Sequence, residues 1–290
     1  MLEQINIDEI KKIAIEAGSA IMEIYKQDFS VEYKEDESPL TQADLKANEI
    51  ICSALEKLNS CASALSLRKF KIKNSVFNPI PIMSEENKQI SFEERKNWEY
   101  YWCIDPIDGT KEFIKKNDEF TVNIALIYKN SPVLGVVYAP ALYELYFAKQ
   151  GKGAFKEVLS AKCEVLSKDK LPLTAQKNLK EKTTVVASKS HLSSETQEFI
   201  DNLALNTSHL ALTSIGSSLK LCMIATGEAD IYPRLSPTME WDTAAADAIV
   251  REAGKMTYEY HSKFNIKNSA LEVPLIYNKE ELLNPWFVVV

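Results

Sequence analysis

Residues 102–113 read WCIDPIDGTKEF: an apolar run stops at Asp105, a proline follows, a second acid stands at Asp108, and Gly109 and Thr110 come next. The short, β-branched and aromatic character of YYWCI at 100–104 predicts a buried strand. Ending such a strand on two acids needs a reason, because an unpaired carboxylate costs several kcal/mol to bury. Pro106 fixes φ and offers no ladder donor, so it ends the strand. Gly109 lets backbone approach a ligand, and N–H groups around Gly109 and Thr110 can cradle an anion if a helix starts there. A plain Asp-Gly turn opening a helix fits the same residues.

Working outward, IPIM (80–83), FTVNIALIY (120–128), VLGVVYAP (133–140) and LYELYF (142–147) read as further strands of a meandering sheet, with turns at Asn130, Pro132 and Pro140. Before them, the helical spacing of Ile7, Ile10, Ala14, Ala17, Ile21 and Ile24 predicts an amphipathic helix over 7–25, and a second is predicted over 45–58. The stretch 60–76 carries four basic and no acidic residues without a clean period, and reads as a loop or insertion. Residues 156–182 read as lysine-rich and irregular, and VVAS at 185–188 as a new strand, which places a boundary near 180. Helical runs at 193–204, 217–228 and 243–253 then alternate with LALTSI, ADIYPR and WFVVV. The expectation is α/β overall, an α+β part over 1–180 carrying the acids and an α/β part over 181–290.

Acids recur at strand ends: Glu85 after IPIM, Asp105 and Asp108 after YYWCI, Asp242 after IYPRLSPTMEW. Convergent hard oxygen ligands of this kind suit Mg2+, commonly shared between a few carboxylates and a substrate phosphate. Singly, each acid has a plainer explanation, such as Asp242 capping the helix after it or Glu85 lying exposed. A calcium loop starting at Asp108 would end at Glu119, but it puts Phe113 where the sharp turn requires glycine.

Composition narrows the classes. The 290 residues are 46% hydrophobic and 26% charged, ordinary for a folded chain with a sizeable core. A net charge of -7 speaks against a general nucleic-acid or anionic-membrane binder. Five cysteines, never in CxxC spacing, suggest reduced thiols rather than a disulfide framework or thiolate zinc site. No apolar run reaches the roughly 18 residues of a membrane span, and MLEQINIDEI lacks a signal-peptide pattern, so a cytosolic, unprocessed chain is expected. With three histidines and no Ser-His-Asp or Cys-His arrangement, metal-activated water is the expected nucleophile.

Taken together, SEE at 84–86, DPIDGT at 105–110 and EWDTAAAD at 240–247 resemble the inositol monophosphatase family of Mg2+-dependent, lithium-sensitive phosphomonoesterases, over nearly the whole chain. The resemblance implies the layered αβαβα sandwich of the sugar-phosphatase superfamily. It implies two or three Mg2+ held by Glu85, Asp105, Asp108, Asp242 and the Ile107 carbonyl, with Asp44 and Thr110 orienting the attacking water. Thr41 and Asp44 also fit a capping-box-like helix start.

SKSHLSSE (188–195), TSIGSSLKLC (213–222), ADIYPR (229–234) and the run DPIDGTKEFIKKNDEFTVNIALI are similar to the 3'(2'),5'-bisphosphate nucleotidase branch. That similarity implies a small-molecule substrate, adenosine 3',5'-bisphosphate, and a link to sulfate assimilation. It implies contacts from Glu85, Ile107, Asp108, Gly109, Thr110, His191, Gly216, Ser217, Lys220, Arg234 and Asp242, with Lys220 and Arg234 as cations for the second phosphate. A helix-face lysine, a loop arginine and a surface histidine are the plainer alternatives. The basic stretch is longer than this branch's usual passage into the SEE strand. A peripheral place on the cytoplasmic face of the inner membrane is also allowed by the family, without a signal in the residues. A broad-specificity inositol monophosphatase and an inactive nucleotide- or metal-binding module remain rival readings, and oligomeric state stays open.

Overall fold

The computed structural model describes residues 2–34, 39–70, 79–173, 182–188, 192–207, 209–260 and 273–290. A 3-10 turn precedes helix α1 (Ile7–Tyr25), whose N-cap Asn6 accepts from Asp8 N. After the short pair β1 (Val31–Tyr33) and β2 (Pro39–Thr41) comes helix α2 (Gln42–Phe70). Seven strands follow: β3 (Ile82–Ser84), β4 (Tyr100–Asp108), β5 (Thr121–Tyr128), β6 (Ser131–Ala139), β7 (Glu144–Lys149), β8 (Gly153–Leu159) and β9 (Val165–Lys170), with short helices α3 (Phe92–Arg95) and α4 (Thr110–Ile114) on either side of β4. They form one sheet in sequence order, antiparallel except for β3 beside β4.

The middle strands of the sheet are buried on both faces, so β5 reads as an apolar run interrupted by Asn123 rather than as an alternation. Trp102, Ile104, Val122, Ile124 and Leu126 pack under α1 and α2. Tyr101, Cys103, Ala125 and Ile127 face the other way, toward helices α6 (Leu219–Thr226) and α7 (Glu240–Glu252). Closeness there depends on small residues: a Cβ on Gly135 would lie 2.0 Å from the Ala245 carbonyl oxygen. Strands β10 (Thr183–Ser188) and β11 (Leu210–Ile215) pair parallel, and β12 (Tyr232–Arg234), β13 (Thr257–Glu259) and β14 (Phe287–Val289) form an antiparallel set joined to β10 at the Val185–Ile231 bridge. Helix α5 (Ser194–Asn206) covers this second sheet through Phe199, Ile200 and Leu203. The layers therefore run helix, sheet, helix, sheet, helix, the sandwich that the resemblance implied. Among the described residues no helix is long and apolar enough to cross a membrane.

Several local expectations are corrected. Residues 60–70 are helical, not a loop: nothing from Ser60 to Phe70 is Gly or Pro, and Ala, Leu, Arg and Lys are good helix formers. The remainder of that basic stretch, 71–76, lies outside the described residues. Within 156–182, β8 and β9 are strands; β9 is exposed throughout, an edge strand with no apolar alternation to reveal it, and its lysines blunt its unpaired edge. Helix α2 begins at Gln42 rather than 45. Helix α7 begins at Glu240, so Asp242 stands in its first turn and Met239 is the cap.

Candidate active site

Side chains three apart on a regular strand point to opposite faces, so Asp105 and Asp108 would diverge if β4 were straight. It is not straight. Asp105 pairs with Asn123 and Asp108 with Thr121, three steps against two, and the bulge at Pro106 and Ile107 flips the alternation. Both acids thereby turn to the face that carries Tyr101 and Cys103, while the Ile107 side chain joins the opposite core. The strand then passes through Gly109, at φ 93°, into α4.

Two elements bring the remaining acids to the same place. Glu85 follows β3 and is aligned by its N–H donating 3.2 Å to the Ile104 carbonyl. Asp242 reaches back from the first turn of α7 to accept from Met239 N at 2.9 Å. Carboxylate oxygens of Glu85, Asp105 and Asp242 lie within 4.8 Å of one another. Glu240, buried beside them, is satisfied by the N–H groups of Asn278 and Lys279 and by the Lys279 ammonium, so it belongs to the scaffold.

The electrostatics of this cluster are those of a cation site. Burial first, then Glu85, Asp108, Asp242 and Asp44, pushes the Asp105 carboxyl well above its ordinary range. Asp242 rises for the same reasons, burial followed by Asp108 and Glu85. Glu85 and Asp108 are also raised by burial, although Lys34 pulls Glu85 back and Lys220 pulls Asp108 back. Asp105 Oδ1 is buried with no hydrogen-bond partner. An all-oxygen set with an orphaned, desolvated carboxylate oxygen fits a hard cation, and these residues could hold one.

The Lys34 ammonium lies 2.8 Å from Glu85 and 2.7 Å from Glu86 at the cluster's outer side. Burial alone would lower Lys34, but the two carboxylates outweigh it and hold the ammonium above its ordinary value.

Asp44 divides its two oxygens between the helix start that its sequence suggested and the Thr110 hydroxyl. Oδ2 accepts from Thr41 N at 2.8 Å and from the Thr41 hydroxyl at 2.6 Å, a capping-box arrangement at the start of α2. Oδ1 accepts from the Thr110 hydroxyl at 3.2 Å, and that hydroxyl also lies 3.2 Å from the Ile107 carbonyl. Burial raises the Asp44 carboxyl.

A cleft of about 250 Å³ joins Glu85, Asp105, Ile107, Asp108, Gly109, Thr110 and Asp242 to Gly216, Ser217, Lys220 and Arg234. Asp44 stands behind Thr110, and His191 lies outside the described residues. On the cationic wall, Ser217 takes φ 48° and Gly216 donates to Glu119 at 2.8 Å. A Cβ on Gly216 would meet Glu112 Cγ at 2.7 Å. Lys220 is buried, its ammonium donating to the Ser217 carbonyl at 2.6 Å; burial pulls it down to about 8 against the attraction of Asp108. It is thus neither a plain surface lysine nor free of structural duty. Arg234 donates from Nη2 to the Pro237 carbonyl, and its Nε is buried without a partner.

Residues that sequence reasoning missed connect the two walls. The Ser218 hydroxyl lies 2.6 Å from Asp108 Oδ2 and accepts from Asn123 Nδ2 at 2.8 Å. Glu119 holds the Gly216 turn. The one available signal was Asn123, a polar residue inside the apolar run FTVNIALIY.

Comparison with known proteins agrees with this geometry. The inositol monophosphatase family matches residues 3–285. A curated relative, the 3'(2'),5'-bisphosphate nucleotidase CysQ of Salmonella typhimurium, is 39% identical over 98% of each chain, and its counterpart in Escherichia coli K12 is 38% identical over the same shares. The crystal structure of CysQ from Bacteroides thetaiotaomicron, a bacterial member of the inositol monophosphatase family, superposes with a TM-score of 0.75 at 41% identity, covering 96% of this chain and 93% of that one. An IMPase of Thermotoga maritima shares the fold at a TM-score of 0.66 and 23% identity, over 98% of this chain and 91% of its own. The bulged acidic strand, the carboxylate cluster and the full-length match make this chain a member of the inositol monophosphatase family.

Proposed function

We propose that this chain is a Mg2+-dependent phosphatase that removes the 3'-phosphate of adenosine 3',5'-bisphosphate, giving AMP and phosphate. One observation carries the choice of substrate: opposite the acid cluster, the same cleft presents two buried cations, Lys220 and Arg234. Metal ions can neutralise the acids and one phosphate, but a second phosphate needs cations of the protein. The names of the relatives, 3'(2'),5'-bisphosphate nucleotidases, support the same substrate.

Glu85, Asp105, Asp108, Asp242 and the Ile107 carbonyl would hold the ions, two or three by family resemblance. Bound Mg2+ supplies charge neutralisation at the scissile phosphate and makes water more acidic. Thr110, donating to Asp44 Oδ1, turns a hydroxyl lone pair to the cleft, where it can accept from a water and aim it. Asp44 receives the proton that this pair passes back. Gly109 and Gly216, both without side chains, leave room for the ester, and Ser217, Lys220 and Arg234 hold the distal phosphate; a nucleoside contact from His191 rests on the family resemblance alone. In this reading residues 1–180 supply most of the metal site, residues 181–290 supply the nucleotide side, and Asp242 joins the two.

Free thiols at Cys52, Cys103, Cys163 and Cys222 suit action in a reducing cytoplasm, and clearing this bisphosphate suits a role in sulfate assimilation. Phosphate release from adenosine 3',5'-bisphosphate and from inositol monophosphate, with and without Mg2+, tests the reading. Rapid Mg2+-dependent turnover of the nucleotide alone is the expected result. Equal turnover of both would make the chain a broad-specificity inositol monophosphatase, and turnover of neither a binding module.

A further inference from the structure

The Ser218 hydroxyl joins the acidic wall of the cleft to the cationic one. It is 1% exposed and lies 2.6 Å from Asp108 Oδ2, 2.7 Å from the Asp242 carbonyl and 2.8 Å from Asn123 Nδ2. A hydroxyl has one proton to give. The Asn123 amide nitrogen can only donate, so it takes a lone pair of the hydroxyl, and the hydroxyl proton goes to one of the two oxygens. A carboxylate is the stronger acceptor, which favours Asp108. Ser218 also occupies the N-cap of α6, where serine ordinarily accepts from an N–H two or three residues on; here no such side-chain bond forms. The hydroxyl has been diverted from capping its own helix to bonding an acid on β4.

Asn123 is placed for the same purpose. It sits in register opposite Asp105 on β5, 1% exposed on a strand of otherwise largely apolar residues. Its amide reaches Ser218 and lies 3.5 Å from Asp108 Oδ2.

Resting on the phosphatase reading above, we propose that Ser218, braced by Asn123, is a positioning residue for the cation site. It fixes one carboxylate oxygen of Asp108, leaves the other to a cation, and ties Asp108 to the turn that carries Ser217 and Lys220. The alignment of a ligating carboxylate depends on such outer contacts. The two walls of the cleft then move as one unit, and disturbing the turn disturbs the metal acids.

Calorimetric Mg2+ titration of the full chain and its Ser218→Ala variant tests this, alongside melting of both with and without metal. Affinity should fall by roughly ten- to a hundredfold in the variant, the range for lost outer-shell contacts; the metal-free melting temperature falls as well, because Asn123 and Asp108 lose a buried partner, and saturating Mg2+ restores the KM for the nucleotide. A purely structural role would lower the melting temperature equally with and without Mg2+ and leave Mg2+ affinity alone, and that result overturns the inference. Asn123→Ala should weaken Mg2+ binding in the same direction, and the double variant should be no worse than Ser218→Ala; additive losses would refute the brace. If Ser218→Ala does not fold, the Asn123→Ala titration decides. A wild-type chain without Mg2+-dependent phosphate release overturns the phosphatase reading and this inference with it. Normal turnover in the wild type, with unchanged Mg2+ affinity in the variants, overturns this inference alone.

Discussion

Replacing Asp105 with Asn should do opposite things to stability depending on whether metal is present. At 4.8 Å, the outer separation among the Glu85, Asp105 and Asp242 oxygens, two unit charges in an effective dielectric of about 20 repel by about 3.5 kcal/mol. With two such neighbours, a fully ionised Asp105 would carry about 7 kcal/mol of repulsion. Protonation relieves part of this in the metal-free site, since burial and the neighbouring acids push the Asp105, Asp242 and Glu85 carboxyls up. What Asp105→Asn relieves is therefore less than the full figure, no more than about the 3.5 kcal/mol of one pair. Spread over 290 residues at roughly 2.1 cal/mol/K each, that is a rise in Tm of up to about 6 °C. With Mg2+ at a hundred times its Kd the wild type gains about 2.7 kcal/mol from binding, and the variant, short of a ligand, gains far less. Scanning calorimetry in chelator and in excess Mg2+ should therefore show the order of stability reversing, with turnover abolished in the variant. A variant less stable than the wild type in chelator, or one that gains as much from Mg2+, would refute the claim that these acids form a repulsive cation site.

Further outcomes follow from the same geometry. Acids whose folded pKa is raised bind protons that the unfolded chain has released, so metal-free stability should fall as pH rises above about 4, the ordinary carboxylate value; a pH series of chelator melts checks this, and the slope should flatten in Asp105→Asn. Lys220→Ala should lower kcat/KM for adenosine 3',5'-bisphosphate by on the order of ten- to a hundredfold through loss of a charged phosphate contact. Steady-state rates on 3'-AMP, which lacks the distal phosphate, separate that loss from any loosening of the Ser217 turn that Lys220 also holds. Lithium at millimolar or lower concentration should inhibit, since a single charge cannot neutralise the carboxylate cluster; a rate unchanged across a Li+ titration would point to a different metal site.

Which residues would be brought together was largely visible in the chain. Apolar periodicity defined α1, and turn residues defined the strands from 100 to 147, because local patterns dictate local structure when burial is one-sided or runs are short. The motifs at 84–86, 105–110 and 240–247 named the acids, since negative charge after an apolar run is costly enough to need explaining. Element ends were less legible. Asp242 reads equally well as a cap or a first-turn acid, and β9, with every side chain exposed, carries no apolar alternation at all. Three things belonged to tertiary structure alone. The β4 bulge sets the facing of Asp105 and Asp108, and its register against β5 is fixed by pairing across strands. Asp44 divides its oxygens between Thr41 and Thr110, a contact that spans 66 positions of sequence. Ser218 meets Asp108 across 110 positions, and no local preference of either residue encodes that meeting. Such contacts depend on how layers stack, and stacking is settled by the joint packing of α7 and α6 on the sheet, where even the absence of a side chain at Gly135 is required.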